Sequence, residues 1–200
     1  MKIAAIILAA GGSRRMTEKN KLLEEVNGRP MIAQVISTAL SSHLDPVIVV
    51  LGYEANKIRH SISDLNYTHV LNSNWEKGMS TSIVVGISAL DKNCAGAMII
   101  LGDMPLITVD ELKLFIEKFE SYHGDKIIYP VFNKIQGNPV IFPSKYFNKL
   151  KDLSGDQGAK AIINKHNSIE IEIGSESVLI DIDTKEDLNL IKHNSEYVIA

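Results

Sequence analysis

The chain has 200 residues, of which 45% are hydrophobic and 22% charged, a composition typical of a globular protein with one large core. Its net charge of −3 argues against a broad basic surface for nucleic acid, so any polyanion would have to be bound by a few well-placed cations. The single cysteine, Cys94, excludes an intramolecular disulfide, and no set of residues has the spacing of a zinc site.

The amino-terminal apolar run shows neither a membrane span nor a secretory leader. It begins at Ile3 and ends by Ala10, whereas a bilayer span needs roughly 20 apolar residues. The residues that follow, Gly11 to Arg15, do not form the small-residue exit of a signal peptide. The sequence therefore predicts a cytoplasmic protein that binds neither nucleic acid nor membrane.

Short apolar runs recur along the chain and predict the strands of a sheet. Four of them are apolar on both faces, as in central strands covered by helices on either side: 3–8, 47–51, 97–101 and 127–131. Two further strands are predicted at 67–71 and 177–182. Residues 126–142 hold two strand-like runs joined by 133–137, which predicts a hairpin and one antiparallel pair.

Amphipathic stretches between these runs predict helices. Pro30 suits a first helical turn and is followed by apolar residues at helical spacing. Thr108 and the glutamate three residues later form a capping box, and Gly124 is the predicted stop of that helix. Ser80 is predicted to cap another helix, and Thr184 to start the last one. The alternation predicts an α/β fold, a three-layer α/β/α sandwich with a Rossmann-like, mostly parallel sheet, in a single domain spanning 1–200.

The most informative segment follows the first predicted strand. Gly11 and Gly12 allow a tight turn that presents backbone N–H groups to an anion, and Ser13 adds a hydroxyl. Arg15 and Lys21 supply the positive charge that a polyphosphate needs. The spacing matches neither the Rossmann dinucleotide fingerprint nor a P-loop. The segment therefore predicts a phosphate cradle of another kind, the alternative being an ordinary glycine turn with surface cations nearby.

Carboxylates occur at the predicted carboxyl ends of two strands. Asp103 follows the run that ends at Leu101, where one of its oxygens could hold Mg²⁺ together with substrate phosphate oxygens. Asp181 or Asp183 could supply the second carboxylate, and strand alternation sends both to the same face, so the sequence leaves this choice open. The competing interpretation makes Asp103 a turn former and Asp183 a helix cap.

Taken together, these motifs resemble the molybdenum cofactor cytidylyltransferase family within the nucleotidyltransferase superfamily. The matching segments occur in the family's order along nearly the whole chain: Leu8-Ala9-Ala10-Gly11, Ser13, Arg15-Met16, Lys21, Asn74, Gly78-Met79, Ser82, Leu101-Gly102-Asp103-Met104-Pro105, Gly137-Asn138-Pro139-Val140, Gly155-Asp156, Gly158-Ala159, Asp181-Ile182-Asp183-Thr184 and Glu186-Asp187-Leu188. The chain departs from the family at Thr17, where glycine is usual, at Gln136, where arginine is common, and at Asn138, where histidine is common. The last two departures lie on the acceptor side and bear on the acceptor's identity.

The resemblance implies a fold like that of nucleotide-diphospho-sugar transferases, and a role for each motif. The residues implied to bind the nucleotide are Leu8, Ala9, Ala10, Gly11, Gly12, Ser13, Arg15, Lys21, Gly78, Met79, Ser80 and Asp103. Those implied to face the acceptor are Gly137, Asn138, Pro139, Gly155, Asp156 and Gly158. Mg²⁺ would be held by Asp103 and one of the final aspartates, which we take to be Asp181. Lys21, Arg15 and Asp103 are the implied catalytic residues.

The implied reaction transfers CMP from CTP to the terminal phosphate of molybdopterin and releases pyrophosphate. Ala10 favours CTP, because guanylyl-transferring relatives usually carry Leu-Ala-Gly-Gly where this chain has Leu-Ala-Ala-Gly. A molybdenum hydroxylase would then receive the finished cofactor. Two other functions remain open: a nucleotidyltransferase acting on a sugar phosphate or alditol phosphate, and a non-catalytic carrier of the finished cofactor.

Overall fold

The computed structural model describes residues 1–12 and 20–193, which form one eight-stranded sheet, a two-stranded ribbon and surrounding helices. The strands are β1 (Ile3–Ala9), β2 (Glu25–Val26), β3 (Arg29–Pro30), β4 (Val47–Leu51), β5 (Thr68–Leu71), β6 (Gly96–Leu101), β7 (Ile127–Phe132), β8 (Ile135–Gln136), β9 (Val140–Pro143) and β10 (Ser168–Glu172). The α-helices are α1 (Met31–Ser41), α2 (Ala55–Ser61), α3 (Met79–Ser88), α4 (Val109–Ser121), α5 (Phe147–Lys151) and α6 (Lys185–His193). Short 3₁₀ helices lie at Lys21–Leu23, Trp75–Lys77, Ser144–Tyr146, Ala159–Ile162 and Glu176–Val178.

The strands of the large sheet follow the order β10-β7-β9-β6-β1-β4-β5, with β8 paired to β7. Strand β1 lies between β6 and β4 and is parallel to both, so that Ile6 is level with Ile99 on one side and Ile48 on the other. The pairs β4–β5 and β7–β10 are also parallel. The carboxyl ends of β1, β4 and β6 therefore open at one edge of the sheet, where ligands of such sheets bind.

Two hydrophobic cores lie on opposite faces of this sheet. Ile7 of β1 packs into the core that contains Phe115 of α4 and the apolar face of α1. Its neighbour Ile6 points the other way, into the core that contains Ile83 of α3 and Leu150 of α5. The continuous apolar runs are explained by this two-sided burial, because successive strand residues face opposite sides. The predicted three-layer α/β sandwich with a mostly parallel sheet is confirmed.

The antiparallel part of the sheet is larger than the sequence predicted. The hairpin is present: β7 and β8 are joined at Asn133 and Lys134, whose φ angles of 50° and 66° suit a tight hairpin turn. Strand β9 then returns between β6 and β7 and pairs antiparallel with both. The predicted antiparallel pair is therefore present but is accompanied by further ones, because β9 lies in the interior of the sheet and has an antiparallel neighbour on each side.

The strand predicted at 177–182 is absent and that prediction was wrong, since the last strand of the described chain is β10. The Ser175 hydroxyl accepts a hydrogen bond from the Ser177 backbone N–H at 3.1 Å, which turns the chain into the 3₁₀ helix Glu176–Val178. Beyond it, the Val178 carbonyl accepts from the Asn138 N–H, and the Ile182 N–H donates to the Asp103 carbonyl, both at 2.9 Å. The segment is thus held by two loops rather than by a strand ladder.

Helix starts were predicted with mixed success. The capping box at Thr108 is confirmed, since its side chain accepts from the Glu111 N–H and the Glu111 carboxylate accepts from the Thr108 N–H. Ser80 as a helix cap was wrong, because α3 begins at Met79 with Gly78 at its cap position. Among the described residues, no helix has the length and apolarity needed to cross a bilayer.

Candidate functional site

An open cleft of about 540 Å³ lies at the carboxyl ends of β1 and β6. It is lined by Leu8, Ala9, Ala10, Gly11, Gly12, Lys21, Leu22, Trp75, Glu76, Gly78, Met79, Ser82, Leu101, Asp103, Asp156, Asp181 and Asp183. The cleft thus brings together segments from the beginning, the middle and the end of the chain. Its volume is within the range of pockets that hold small-molecule ligands.

One wall of the cleft is the glycine turn that follows β1. A Cβ added at Gly12 would lie 2.8 Å from the Trp75 ring, and one at Gly52 would lie 2.9 Å from the Trp75 Cβ. The indole therefore packs directly on backbone that has no side chains, and its ring centroid is 5.5 Å from that of Tyr53. Gly12 is required by the close approach of the Trp75 ring, and Gly52 by that of Ala10 and the Trp75 Cβ, so one aromatic face borders the cleft.

The opposite wall carries three carboxylates and one ammonium. Asp103, Asp181 and Asp183 each offer an oxygen, and these oxygens all lie within 4.8 Å of one another. Lys21 Nζ donates to Asp103 Oδ2 and to Asp183 Oδ1, each at 2.7 Å. Burial alone would lower the pKa of Lys21, but the charges and hydrogen bonds of Asp103 and Asp183 outweigh it, and the pKa is raised. Desolvation and the two neighbouring carboxylates raise the pKa of Asp181.

Local structure explains why these carboxylates converge. Asp103 comes two residues after β6, and the intervening Gly102 donates its N–H to the Leu8 carbonyl at 3.0 Å, so this loop lies against the end of β1. The start of α6 is capped without the Asp183 carboxylate, because Thr184 Oγ1 accepts from the Asp187 N–H and Asp187 Oδ2 accepts from the Asp183 and Thr184 N–H groups. The helix-cap interpretation of Asp183 was therefore wrong, and its carboxylate faces Lys21.

The three aspartates fit a divalent cation. Carboxylate oxygens are the ligands of hard cations such as Mg²⁺, and one or two carboxylates per ion are usual when a phosphate supplies the rest. Asp103 Oδ1 is buried and has no hydrogen-bond partner among residues 1–12 and 20–193, so it has ligand capacity to spare. Asp181 and Asp183 both belong to the group beside Asp103, so either could supply the second carboxylate.

A tight contact between two loops forms the remaining wall. Gly78 has a φ of +111°, and a Cβ there would lie 2.4 Å from the Gly155 carbonyl oxygen. Ser80 is buried, and its hydroxyl donates to that same carbonyl at 2.6 Å. Met79 and Asp156 face the cleft on either side of this contact. The Ser80 hydroxyl thus joins the Gly78 loop to the Gly155 loop. The resemblance had implied that the region of Ser80 approaches the base.

The residues predicted to face the acceptor divide into two groups. Asp156 lines the cleft, and a Cβ on Gly158 would be 3.6 Å from Met79 Sδ, so the loop that begins at Gly155 borders the site. In the other group, a Cβ on Gly137 would lie 2.4 Å from the Val178 carbonyl oxygen, and the cis Asn138-Pro139 peptide follows directly. This second group, Gly137 to Pro139, supports the segment that carries Asp181 and Asp183.

Two predicted nucleotide contacts, Ser13 and Arg15, lie outside the described residues. Sequence reasoning did not include Leu22, Glu76, Ser82 or Leu101 in the site, all of which line the cleft. Ser82 and Leu101 stand in motifs of the resemblance but were assigned no role, and Trp75 lines the wall beside the glycine turn. A lone tryptophan in a polar loop just before Gly78 is the sequence feature that could have indicated the wall formed by Trp75.

Comparison with known proteins agrees with this geometry. The family model of the MobA-like NTP transferase domain matches residues 5–169. Purine catabolism protein PucB of Bacillus subtilis (strain 168) is 28% identical over 202 residues, covering 95% of this chain and 96% of PucB. Bifunctional protein GlmU of Aquifex aeolicus (strain VF5) is 30% identical over 127 residues, covering 62% of this chain but 27% of GlmU. The chain therefore spans about a quarter of GlmU and nearly all of PucB.

Solved structures share the whole fold. Rv0371c from Mycobacterium tuberculosis H37Rv has a TM-score of 0.85 at 23% identity, with 97% of this chain and 99% of that chain covered. A structure of Rv0371c in complex with manganese has a TM-score of 0.80 at 23% identity and covers 95% and 97% of the two chains. A nucleotidyl transferase from Methanothermobacter thermautotroptrophicus has a TM-score of 0.83 at 20% identity and covers 98% of each chain. At these identities the likeness shows the fold.

Proposed function

The chain belongs to the MobA-like NTP transferase domain family, and from that premise we propose that it transfers CMP from CTP to the terminal phosphate of a molybdopterin-type acceptor. The observation that carries the transferase part of the proposal is the meeting of Lys21, Asp103, Asp181 and Asp183 in a cleft beside the glycine turn. An ammonium and a divalent-cation site beside a phosphate cradle are the parts that phosphoryl transfer requires. The acceptor is proposed from the resemblance of the later motifs.

In the proposed reaction, a phosphate oxygen of the acceptor forms a bond to the α-phosphorus of CTP. The bond from that phosphorus to the oxygen bridging to the β-phosphorus breaks, and pyrophosphate leaves with the electron pair. No protein nucleophile is needed, because the attacking phosphate is already an anion. The protein's contribution is to align two anions and to neutralise the charge that develops between them.

Lys21 and the aspartates divide that task. Asp103 with Asp181 or Asp183 would hold Mg²⁺, which when bound supplies Lewis-acid stabilisation to phosphate oxygens. The Lys21 ammonium donates to both Asp103 and Asp183 at this site. Lys21 is proposed to donate hydrogen bonds to the α-phosphate, and Arg15 is proposed for the β/γ side.

The preference for CTP is proposed from the end of β1. Ala10 lines the cleft, and its methyl group packs where a Cβ on Gly52 would be only 2.8 Å away. Position 10 therefore fixes how closely the turn after β1 and the Gly52 loop approach each other. A methyl group here narrows the base site, which favours a pyrimidine. Gly78 and Met79, across the cleft, are proposed to read the cytosine edge.

A second candidate is transfer to a sugar phosphate or alditol phosphate, the other acceptor class that the sequence left open. A structure of 4-diphosphocytidyl-2C-methyl-D-erythritol synthase from Anaerococcus prevotii also shares the fold, with a TM-score of 0.72 at 16% identity. A carrier without catalytic function is disfavoured, because a carrier does not need an ammonium and a metal site that meet in one cleft.

The test is pyrophosphate release with CTP, GTP or ATP and Mg²⁺, each combined with molybdopterin or with a panel of sugar and alditol phosphates. Release with CTP and molybdopterin alone supports the proposed reaction. Release only with a sugar phosphate or alditol phosphate supports the second candidate. The absence of pyrophosphate from every combination would contradict both and leave the carrier.

A further inference from the structure

The cleft is strongly acidic, which is a problem for a substrate that carries its own phosphate. Five carboxylates line it: Glu76, Asp103, Asp156, Asp181 and Asp183. The one ammonium in this lining among the described residues, Lys21, donates to two of them. An acceptor phosphate that approaches from the Asp156 side meets repulsion at this short range. A cation on that side would offset it, and this reasoning rests on the proposed function.

Lys160 is a cation next to the loop that borders the cleft. It belongs to the 3₁₀ helix Ala159–Ile162, directly after Gly158, whose added Cβ would be 3.6 Å from the cleft residue Met79. Its Nζ donates to the Gln136 backbone carbonyl at 3.2 Å, and the charge of Asp181 acts on it. Lys160 thus connects the loop that follows Gly155, the β8 hairpin and the acidic end segment.

The electrostatic state of Lys160 is consistent with anion binding. The residue is solvent-exposed, yet surrounding protein desolvates its ammonium and lowers its pKa, an effect that Asp181 partly opposes. A desolvated ammonium makes stronger hydrogen bonds to an arriving anion than one that is fully hydrated. Lys160 has no carboxylate within salt-bridge distance among the described residues, in contrast to Lys21.

Gln136 adds a second donor at the same place. Its backbone carbonyl accepts from Lys160, and its side-chain Nε2 is buried without a hydrogen-bond partner in the described part of the chain. An unpaired buried donor is costly, and such groups are usually paired in the functional state. Lys160 and Gln136 are joined by a hydrogen bond, and together they carry an ammonium and an amide N–H that could serve two oxygens of one phosphate.

We propose that Lys160 and the Gln136 side-chain amide form the binding site for the acceptor's phosphate group. Lys160 donates charge-assisted hydrogen bonds to the phosphate and offsets the carboxylates of the cleft. Gln136 Nε2 donates to a second oxygen of the same phosphate. The ligand class is therefore a phosphate monoester, bound between the β8 hairpin and the loop that follows Gly155.

The decisive experiment measures phosphate binding without relying on the identity of the acceptor. Protein saturated with Mg²⁺ and a non-hydrolysable CTP analogue is titrated with inorganic phosphate by calorimetry. Lys160→Ala should weaken phosphate binding about 10- to 100-fold, the range expected for loss of a charged hydrogen bond. Lys160→Arg should restore most of it, and Gln136→Glu should weaken it by adding a negative charge. Affinity for the CTP analogue, followed by fluorescence of Trp75, should stay at the wild-type level in all three.

Lys149→Ala is the matched control. Lys149 is an exposed lysine on the neighbouring helix α5, and its ammonium lies over the Tyr146 ring. Equal phosphate affinity in wild type, Lys160→Ala and Lys149→Ala would overturn the proposal. Turnover distinguishes the phosphate-site proposal from the proposed acceptor. If Lys160→Ala loses phosphate binding but the wild-type protein does not turn over molybdopterin, the phosphate site is supported and molybdopterin is rejected as the acceptor. Where turnover occurs, the acceptor KM should rise in Lys160→Ala while the CTP KM stays constant.

Discussion

Replacement of Lys21 by alanine has three measurable consequences, for stability, for the response to metal and for turnover. The variant loses the ammonium that lies 2.7 Å from Asp103 Oδ2 and 2.7 Å from Asp183 Oδ1. Without it, Asp103 and Asp183 lose this ion pair, while an oxygen of Asp181 still lies within 4.8 Å of theirs. We therefore expect lower stability without metal, a larger response to metal, and a loss of turnover.

The size of the stability effect follows from exposure. Charged hydrogen bonds contribute about 1.5–3 kcal/mol when well shielded. The side chains here are 13%, 18% and 29% exposed for Lys21, Asp103 and Asp183, so screening reduces each contact. We expect a loss of about 2 kcal/mol in the free energy of unfolding. For a chain of this size that corresponds to a fall in Tm of roughly 4–8 °C.

Calorimetric unfolding with EDTA or with Mg²⁺ tests both parts. In wild-type protein Mg²⁺ must compete with the ammonium, whereas in Lys21→Ala it meets carboxylates that need a cation, so it should raise Tm more in the variant. Turnover should nevertheless fall by about 10²–10³, because a contact made to charge developing in the transition state is lost. Lys145→Ala, which removes an exposed ion pair with Asp125, is the control and should change neither property.

Two results would refute this reasoning. An equal rise in Tm with Mg²⁺ in wild type and Lys21→Ala would mean that the ammonium and the metal do not compete for the same carboxylates. Wild-type turnover in the variant would mean that Lys21 has no part in the reaction, whatever its role in stability.

Three further predictions concern the carboxylate wall and the glycine-turn wall of the cleft. Asp103→Asn should abolish Mg²⁺-dependent turnover while metal-free nucleotide binding survives, and unchanged Mg²⁺ affinity by calorimetry would place the metal elsewhere. Wild-type protein should prefer CTP to GTP and ATP in pyrophosphate release, and Ala10→Gly should reduce the CTP-over-GTP ratio by about tenfold, the scale of one methyl group; equal wild-type rates with CTP and GTP would contradict this. Gly12→Ala must displace the indole that a Cβ would approach to 2.8 Å, so nucleotide affinity should fall and Trp75 fluorescence should shift. Gly11→Ala, whose Cβ has no described neighbour within 4 Å, should leave that fluorescence unchanged, and equal spectra for both variants would contradict the wall assigned to Trp75.

Local sequence patterns were sufficient for most of the scaffold. The apolar run that became β1 is buried on both faces, and only a central strand of a covered sheet accommodates such a run. The capping box at Thr108 formed as predicted because its hydrogen bonds join residues three apart and need no distant partner. Asp103 followed a buried strand, so its position at the edge of the sheet could be read from the sequence.

Patterns failed where distant segments decide the local structure. Residues 177–182 look like a strand by composition, but the Val178 carbonyl and the Ile182 N–H are bonded to loops near Asn138 and Asp103. The position of β9 also depended on distant pairing, since it pairs with β6 and β7 at the same time. The free energy gained from such long-range hydrogen bonds cannot be read from a short stretch of sequence.

The sequence by itself determined the layered scaffold, the glycine turn after the first strand and a carboxylate at the end of β6, because each depends on neighbours within a few residues. Only the tertiary structure decided the site's charge pattern. Lys21 meets Asp103 and Asp183 across 82 and 162 residues of chain, and Asp183 is directed there because Asp187 caps the last helix instead. Trp75 borders the glycine turn only because Gly12 and Gly52 leave room for it. Such contacts form when the sheet brings its carboxyl ends to one edge, and no local propensity encodes which side chains meet there.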